Sequence, residues 1–152
     1  MALHLWYICP STSTISEALQ EYERGAGILE TDTDVTSAPP YCQHPLPQYL
    51  AHHTLPDSAS GVSYDICYHL LKLYTDPSYR LDQLLNPATN TPDPLDASTS
   101  WLVMQLVQSL GYSHVPPTVA NSVHLSMAAQ LEAAGLWHWA IFVLMSIKHP
   151  KR

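Results

Sequence analysis

Charge is what this chain has least of. Of its 152 residues only 12% are charged and 46% are hydrophobic, whereas about a quarter of an ordinary soluble domain is charged. A surface so poor in charge is expected to meet other protein rather than water. Six Lys and Arg stand against thirteen Asp and Glu, giving a formal charge of -7, and the basic side chains are dispersed. Without a positive stripe to neutralise phosphates, the sequence argues against direct nucleic-acid binding. Lys148, Lys151 and Arg152 read as solvated end charges. Five glycines are too few for a nucleotide cradle, and there is no GxSxG elbow, HExxH helix or glycine-rich phosphate loop. Cys9, Cys42 and Cys67 are odd in number and form no CxxC pair, which points to a reducing, intracellular setting. No apolar run reaches the ~20 residues of a bilayer-spanning helix, so membrane insertion is not expected. Met1 to Pro10 has neither a basic n-region nor a small-residue cleavage site, so it does not read as a signal peptide.

What is present is a series of helices punctuated by proline. Apolar positions recur at helical spacing, almost nothing alternates like a strand, and thirteen prolines fall almost entirely between the helical segments. Helices are expected over Ala2 to Cys9 and over Ile15 to Arg24, the second opened by Thr14 and Glu17 in capping-box spacing and ended by Gly25 and Gly27. The stretch from Gly25 to Pro40, rich in Thr, Asp and Pro, is expected to be a flexible loop within a domain covering 1–152. Pro45 to Ala51 reads as a short helix or turn and Thr54 to Gly61 as a loop. Ser63 to Tyr74 is the clearest amphipathic helix: Ile66, Cys67, Leu70, Leu71 and Tyr74 share one face, Asp65, His69 and Lys72 mark the other, and Ser63 is the expected N-cap. A turn at Leu81 to Leu85 follows, then a return through Asn86 to Asp96 and a nearly all-apolar helix from Trp101 to Leu110. Pro116 and Pro117 open a helix on which Val119, Val123, Met127, Leu131 and Ala134 recur until Gly135 closes it.

The last segment, Leu136 to Ile147, has only His138 and Ser146 as polar residues. A helix apolar on every side belongs in a core or against a partner. Trp137→Ala or Phe142→Ala is therefore expected to cost roughly 3 to 5 kcal/mol by cavity formation. The packing residues assigned to core or interface are Trp6, Leu70, Leu71, Trp101, Leu131, Trp137, Trp139 and Phe142. About six helices in antiparallel pairs, with no fixed repeat period, give an all-α irregular stack. The ends of the chain read as cuts within something longer.

Catalytic and metal chemistry find little support. Cys42, His44, His52 and His53 form the densest group of possible ligands, but C-x-H followed by a distant H-H is poor zinc spacing. They stand as the alternative, a small metal- or ligand-binding helical protein. Cys67 and His69, two residues apart on a helix, do not face each other. Asp93 and Asp96 suit capping of the following helix better than acid and base roles, and His138 reads as an interfacial imidazole rather than a pH switch. No catalytic residue and no cofactor is assigned.

The strings HLWY at His4, ISEAL at Ile15, PLPQYL at Pro45, DICYHLLKLY at Asp65, LDQLLNP at Leu81, DPLD at Asp93, SW at Ser100, LGY at Leu110 and QLEAAGLWHWAIFVLM at Gln130 come in a shared order and spacing. Together they resemble the helical domain of the scaffold nucleoporin family released from the nucleoporin 98/96 precursor. The resemblance implies an irregular α-solenoid of the ancestral coatomer type, with this chain as part of the trunk. It also implies a place in the Y-shaped scaffold of the nuclear pore at the nuclear envelope, other Y-complex nucleoporins as partners, and no enzymatic activity. In that family an N-terminal β-segment completes a small β-propeller subunit shared with the COPII coat, and the crown docks another Y-complex nucleoporin. No β-segment is recognisable here, no complete crown is present, and the phenylalanine-glycine repeats of the precursor's other half are absent.

Overall fold

The computed structural model describes residues 14–28, 44–50, 63–112 and 114–147. The chain divides into two compact units, Met1–Leu46 and Pro47–Arg152. All regular structure among the described residues is helical. The helix expected over Ala2 to Cys9, with Trp6, the loop expected over Thr54 to Gly61, and most of that expected over Gly25 to Pro40 lie outside the described residues.

In the first unit, α1 spans Ile15–Gly25. It opens on the expected capping box: the Glu17 N–H donates to Thr14 Oγ1 at 3.4 Å and the Thr14 N–H donates to the Glu17 carboxylate at 3.2 Å. Ala18, Leu19, Tyr22, Glu23 and Ala26 are buried, three and four residues apart, as one helix face requires. The helix runs one residue beyond Arg24, and the Ala26 N–H closes it on the Tyr22 carbonyl at 2.8 Å. Glu21 and Arg24 form an exposed ion pair, which contributes little to stability.

In the second unit a 3-10 turn at Gln48–Leu50 stands where a short helix or turn is expected, and the Tyr49 hydroxyl donates to the Ala88 carbonyl at 2.6 Å. α2 spans Ile66–Thr75, α3 spans Leu81–Leu84, and a second 3-10 turn covers Pro87–Thr89. Then follow α4 over Ser98–Ser109, α5 over Pro117–Ala133 and α6 over Trp137–Met145.

Two expectations for α2 are corrected. Its N-cap is Asp65, whose carboxylate accepts from the Cys67 N–H at 3.1 Å, and not Ser63. Its inward face also differs, for Tyr68, His69 and Leu73 are buried, whereas Cys67 is exposed and Tyr74 is 68% exposed. The cause is the partner of His69: the Tyr79 hydroxyl lies 2.8 Å from Nδ1, so the imidazole is satisfied inside. Leu70 and Leu71 are half-buried.

The core of this unit is three small patches in series. Leu73, Leu81, Leu84 and Val107 join α2, α3 and α4; Leu85, Met104 and Val123 join the end of α3 to α4 and α5; Ala128, Ala140 and Val143 join α5 to α6. Val103 and Val115 pack against both the first and the second patch, and Trp101 against both the second and the third. Sealing an apolar side chain such as Leu84, 0% exposed, contributes about 1.5 to 3 kcal/mol.

α4 starts three residues before the expected Trp101 because polar groups outside the helix hold its first turn. Asp96 accepts from the Ser98 N–H at 3.1 Å, and Gln130 of α5 accepts from the Ala97 N–H at 3.2 Å. Asp93 similarly accepts from the Leu95 N–H at 2.9 Å. These two aspartates satisfy backbone donors, as the sequence suggests. α4 and α5 end on Gly111 and Gly135, with φ of 92° and 78°. Each glycine permits a double closure: the N–H groups of Tyr112 and Leu136 reach back to the carbonyls of Val107 and Leu131 at 3.1 and 2.8 Å, beside bonds from Gly111 and Gly135 to the carbonyls of Gln108 and Glu132 at 3.1 and 2.9 Å.

Candidate interaction surface

α6 begins where the Gly135 turn redirects the chain, and the chain from Ala133 to Ile147 carries no acidic or strongly basic side chain. Only Ala140 and Val143, 7% and 2% exposed, are buried, and they pack on Ala128 of α5 with Trp101, Met127 and Leu131 around them. Two small contact residues three apart make a narrow seam. The rest of the helix faces outward. Trp137, Trp139 and Phe142 are 65%, 54% and 55% exposed, and Leu136, Ile141, Leu144 and Met145 are exposed beside them.

The aromatic groups on this face support one another. His138 lies edge-on to Trp137, with ring centroids 5.8 Å apart, and 5.9 Å from Trp139; Trp139 meets Phe142 edge to face at 6.0 Å and 86°. Such contacts orient the rings without removing them from water. A contiguous apolar surface of this kind marks a protein-binding site more often than free surface. The expected cavity cost of Trp137→Ala and Phe142→Ala is corrected here, because a side chain more than half exposed leaves no sealed void when removed.

The remaining packing residues behave differently. Trp101 and Leu131 are half-buried and pack inside the second unit. Sequence reasoning did not single out a second exposed stripe on α4, where Leu102, Leu106 and Leu110 are 61%, 52% and 67% exposed. Its signal is leucine at every fourth position, out of phase with buried Ser100, Met104 and Val107.

Of the proposed metal-ligand group, His44 is exposed, and Cys42, His52 and His53 lie outside the described residues. Among the described residues no set of three His, Cys, Asp or Glu side chains is placed to hold a metal. Cys67 and His69 diverge: burial and the nearby Asp65 carboxylate push the thiol pKa up, while His69 turns toward Tyr79. Among the described residues no helix is long and apolar enough to cross a membrane.

The family model described as Nuclear protein 96 matches residues 1–152. A Drosophila melanogaster protein named Nuclear pore complex protein Nup98-Nup96 is 37% identical over 148 residues, 97% of this chain and 7% of the relative. A protein of the same name from Dictyostelium discoideum is 35% identical over 113 residues, 67% of this chain and 6% of the relative. One from Caenorhabditis elegans is 31% identical over 83 residues, 55% of this chain and 5% of the relative. The chain thus spans less than a tenth of the length of these relatives.

Proposed function

This chain belongs to the Nuclear protein 96 family, matched over residues 1–152, and from that premise we propose that it is a non-catalytic scaffold segment of the nuclear pore complex. In this role it sits at the nuclear envelope and supports nucleocytoplasmic transport of mRNA and protein by holding neighbouring subunits at fixed spacing. The observation that carries the reading is 37% identity across 97% of the chain with a protein named for the nuclear pore complex. The six described α-helices and their serial core patches support an irregular α-solenoid of the coatomer type, part of a trunk. The partners proposed are other Y-complex nucleoporins. The small β-propeller subunit shared with the COPII coat would be held through other parts of the protein.

Within this reading the outward face of α6 is a contact surface for neighbouring helices, with Trp137, Trp139 and Phe142 as its anchors. Large aromatic side chains without charged neighbours are the usual centre of such contacts. Leu70, Leu71, Trp101 and Leu131 hold the helices together from within, and Trp6 is proposed for the same apolar packing.

The test is recovery of the tagged chain from cross-linked nuclear-envelope extract, with bound proteins identified by mass spectrometry. Wild type should bring down Y-complex nucleoporins. A Trp139→Glu/Phe142→Glu variant should keep its helical circular dichroism and lose them. Recovery of chaperones alone from wild type would contradict the scaffold role, and undiminished recovery by the variant would remove α6 from the contact.

A further inference from the structure

Deep beside α4 and α5, a buried histidine holds a hydrogen-bond donor that nothing in the described chain accepts. The Trp101 indole N–H lies 3.2 Å from Nδ1 of His124. An indole nitrogen only donates, so Nδ1 must accept and the neutral ring carries its proton on Nε2. His124 is 4% exposed, and burial pushes its pKa below the ordinary imidazole value. Its one hydrogen bond in the chain is that to Trp101. Yet among the described residues every fully buried polar side-chain atom has a partner. Nε2 therefore keeps an opening, and His124 is one of the residues that line a cavity of about 330 Å³.

The other polar groups on the wall are also free to bond a ligand, Gln108 and Ser146 as exposed side chains and Asn121 as a half-buried one. The side chains of Gln108, Asn121 and Ser146 make no hydrogen bond within the described chain, and Tyr112 adds its hydroxyl. Val115 supplies apolar contact, and among the described residues no acidic or strongly basic side chain lines the space. A charged ligand would leave its charge unpaired there, which disfavours phosphate, carboxylate and ammonium groups alike. A donor from imidazole, two carboxamides that both donate and accept, and hydroxyls match the pattern of a peptide bond. The volume falls in the lower range of small-ligand sites.

We propose that this cavity is a binding site for a neutral stretch of peptide backbone, in which His124 Nε2–H donates to a backbone carbonyl and the Asn121 and Gln108 carboxamides pair with the adjoining amides. This inference does not depend on the scaffold reading. The site takes a short segment of small, uncharged residues.

The probe is N-acetyl-alanine N-methylamide, titrated into the ¹⁵N-labelled 152-residue chain, with sodium acetate and tetramethylammonium chloride as charged comparisons. Saturable shifts at His124 Nε2 and at the side-chain amides of Asn121 and Gln108 are expected for the amide probe at millimolar concentration, with none for the charged compounds. Asn121→Ala and Gln108→Ala should each weaken binding about two- to tenfold, the range for one neutral hydrogen bond, while the Trp101 indole resonance stays in place. The proposal is overturned if the amide probe gives no saturable shift, if acetate shifts the same groups equally, or if neither variant changes the affinity.

Discussion

Gln130, near the end of α5, holds Ala97 at the start of α4: its Oε1 accepts the Ala97 N–H across 3.2 Å, while its Nε2 donates to Asp96 and to the Ser98 hydroxyl, each at 3.2 Å. One carboxamide thus stands in for a helix cap from 33 residues away. Ala97 is 2% exposed, so water cannot readily replace the glutamine. Gln130→Ala should destabilise the chain by about 1 to 3 kcal/mol, the cost of a buried donor left unpaired. Urea denaturation gives the magnitude, and faster amide exchange at Ala97 would localise it. An unchanged midpoint would show that the first turn of α4 does not need this tie.

The two buried histidines set a pH dependence. His69 and His124 both have pKa values lowered by burial, the effect on His69 being partly offset by Asp65 and the Tyr64 backbone. The folded chain therefore binds fewer protons than the unfolded chain once the pH drops beneath the ordinary imidazole value of about 6.5. Stability should be full above that value and fall as the pH is lowered through it toward the folded pKa values. Asp76, Asp82 and Asp96 have lowered pKa values from their hydrogen bonds to Ser78, Arg80 and Ser98. Their contribution is present above about 4 and fades in a lower, separate window. His124→Gln, which keeps an acceptor for the Trp101 indole, should flatten the upper limb of a plot of urea midpoint against pH. A limb of the same slope in that variant would place the titration elsewhere.

Core and face substitutions should part company. Met104 and Leu84 are 0% exposed, and replacing either with Ala should cost about 2 to 5 kcal/mol. Trp137→Ala and Phe142→Ala, at 65% and 55% exposed, should stay within about 1 kcal/mol of wild type. Thermal melts of the four variants decide the matter. Equal losses in both pairs would mean that the α6 aromatics are sealed in solution.

Gly135→Ala isolates a backbone effect. Its φ of 78° disfavours any L side chain, yet a Cβ built there meets nothing within 4 Å. The change should cost about 1 to 2 kcal/mol without altering contacts elsewhere. A chemical-shift map of the variant should therefore show differences confined to the turn between α5 and α6.

Local chemistry was legible in the chain and distant pairing was not. The Thr14 and Glu17 box, the closures at Gly111 and Gly135, and the donors satisfied by Asp93 and Asp96 all lie within a few residues of the groups they serve, so spacing reveals them. His69 misleads because a pattern of polar and apolar letters places histidine outside, whereas Tyr79, ten residues on, satisfies it inside. Asp65 displaces Ser63 as cap for a related reason: both are good capping residues, and position decides between them. α6 is apolar around its whole circumference, so its own sequence does not choose an inner face. Ala128 on α5 chooses it by leaving room for Ala140 and Val143. His124 escaped notice because its meaning comes from Trp101, 23 residues away.

The serial order of the three core patches bears on how the molecule is made. Each patch is built from helices that follow one another along the chain, so each closes only a short loop. Assemblies of near-neighbour contacts form quickly, because little chain entropy is lost before the contacts reward it. During synthesis the first patch has all its buried members once Val107 has emerged, the second after Val123 and the third after Val143. Trp101 emerges after Leu85 but before α5 and α6, and it packs against both of the patches that they complete. Among the described helices α6 follows α5, whose Val123 has by then completed the second patch, so it docks onto a surface already built.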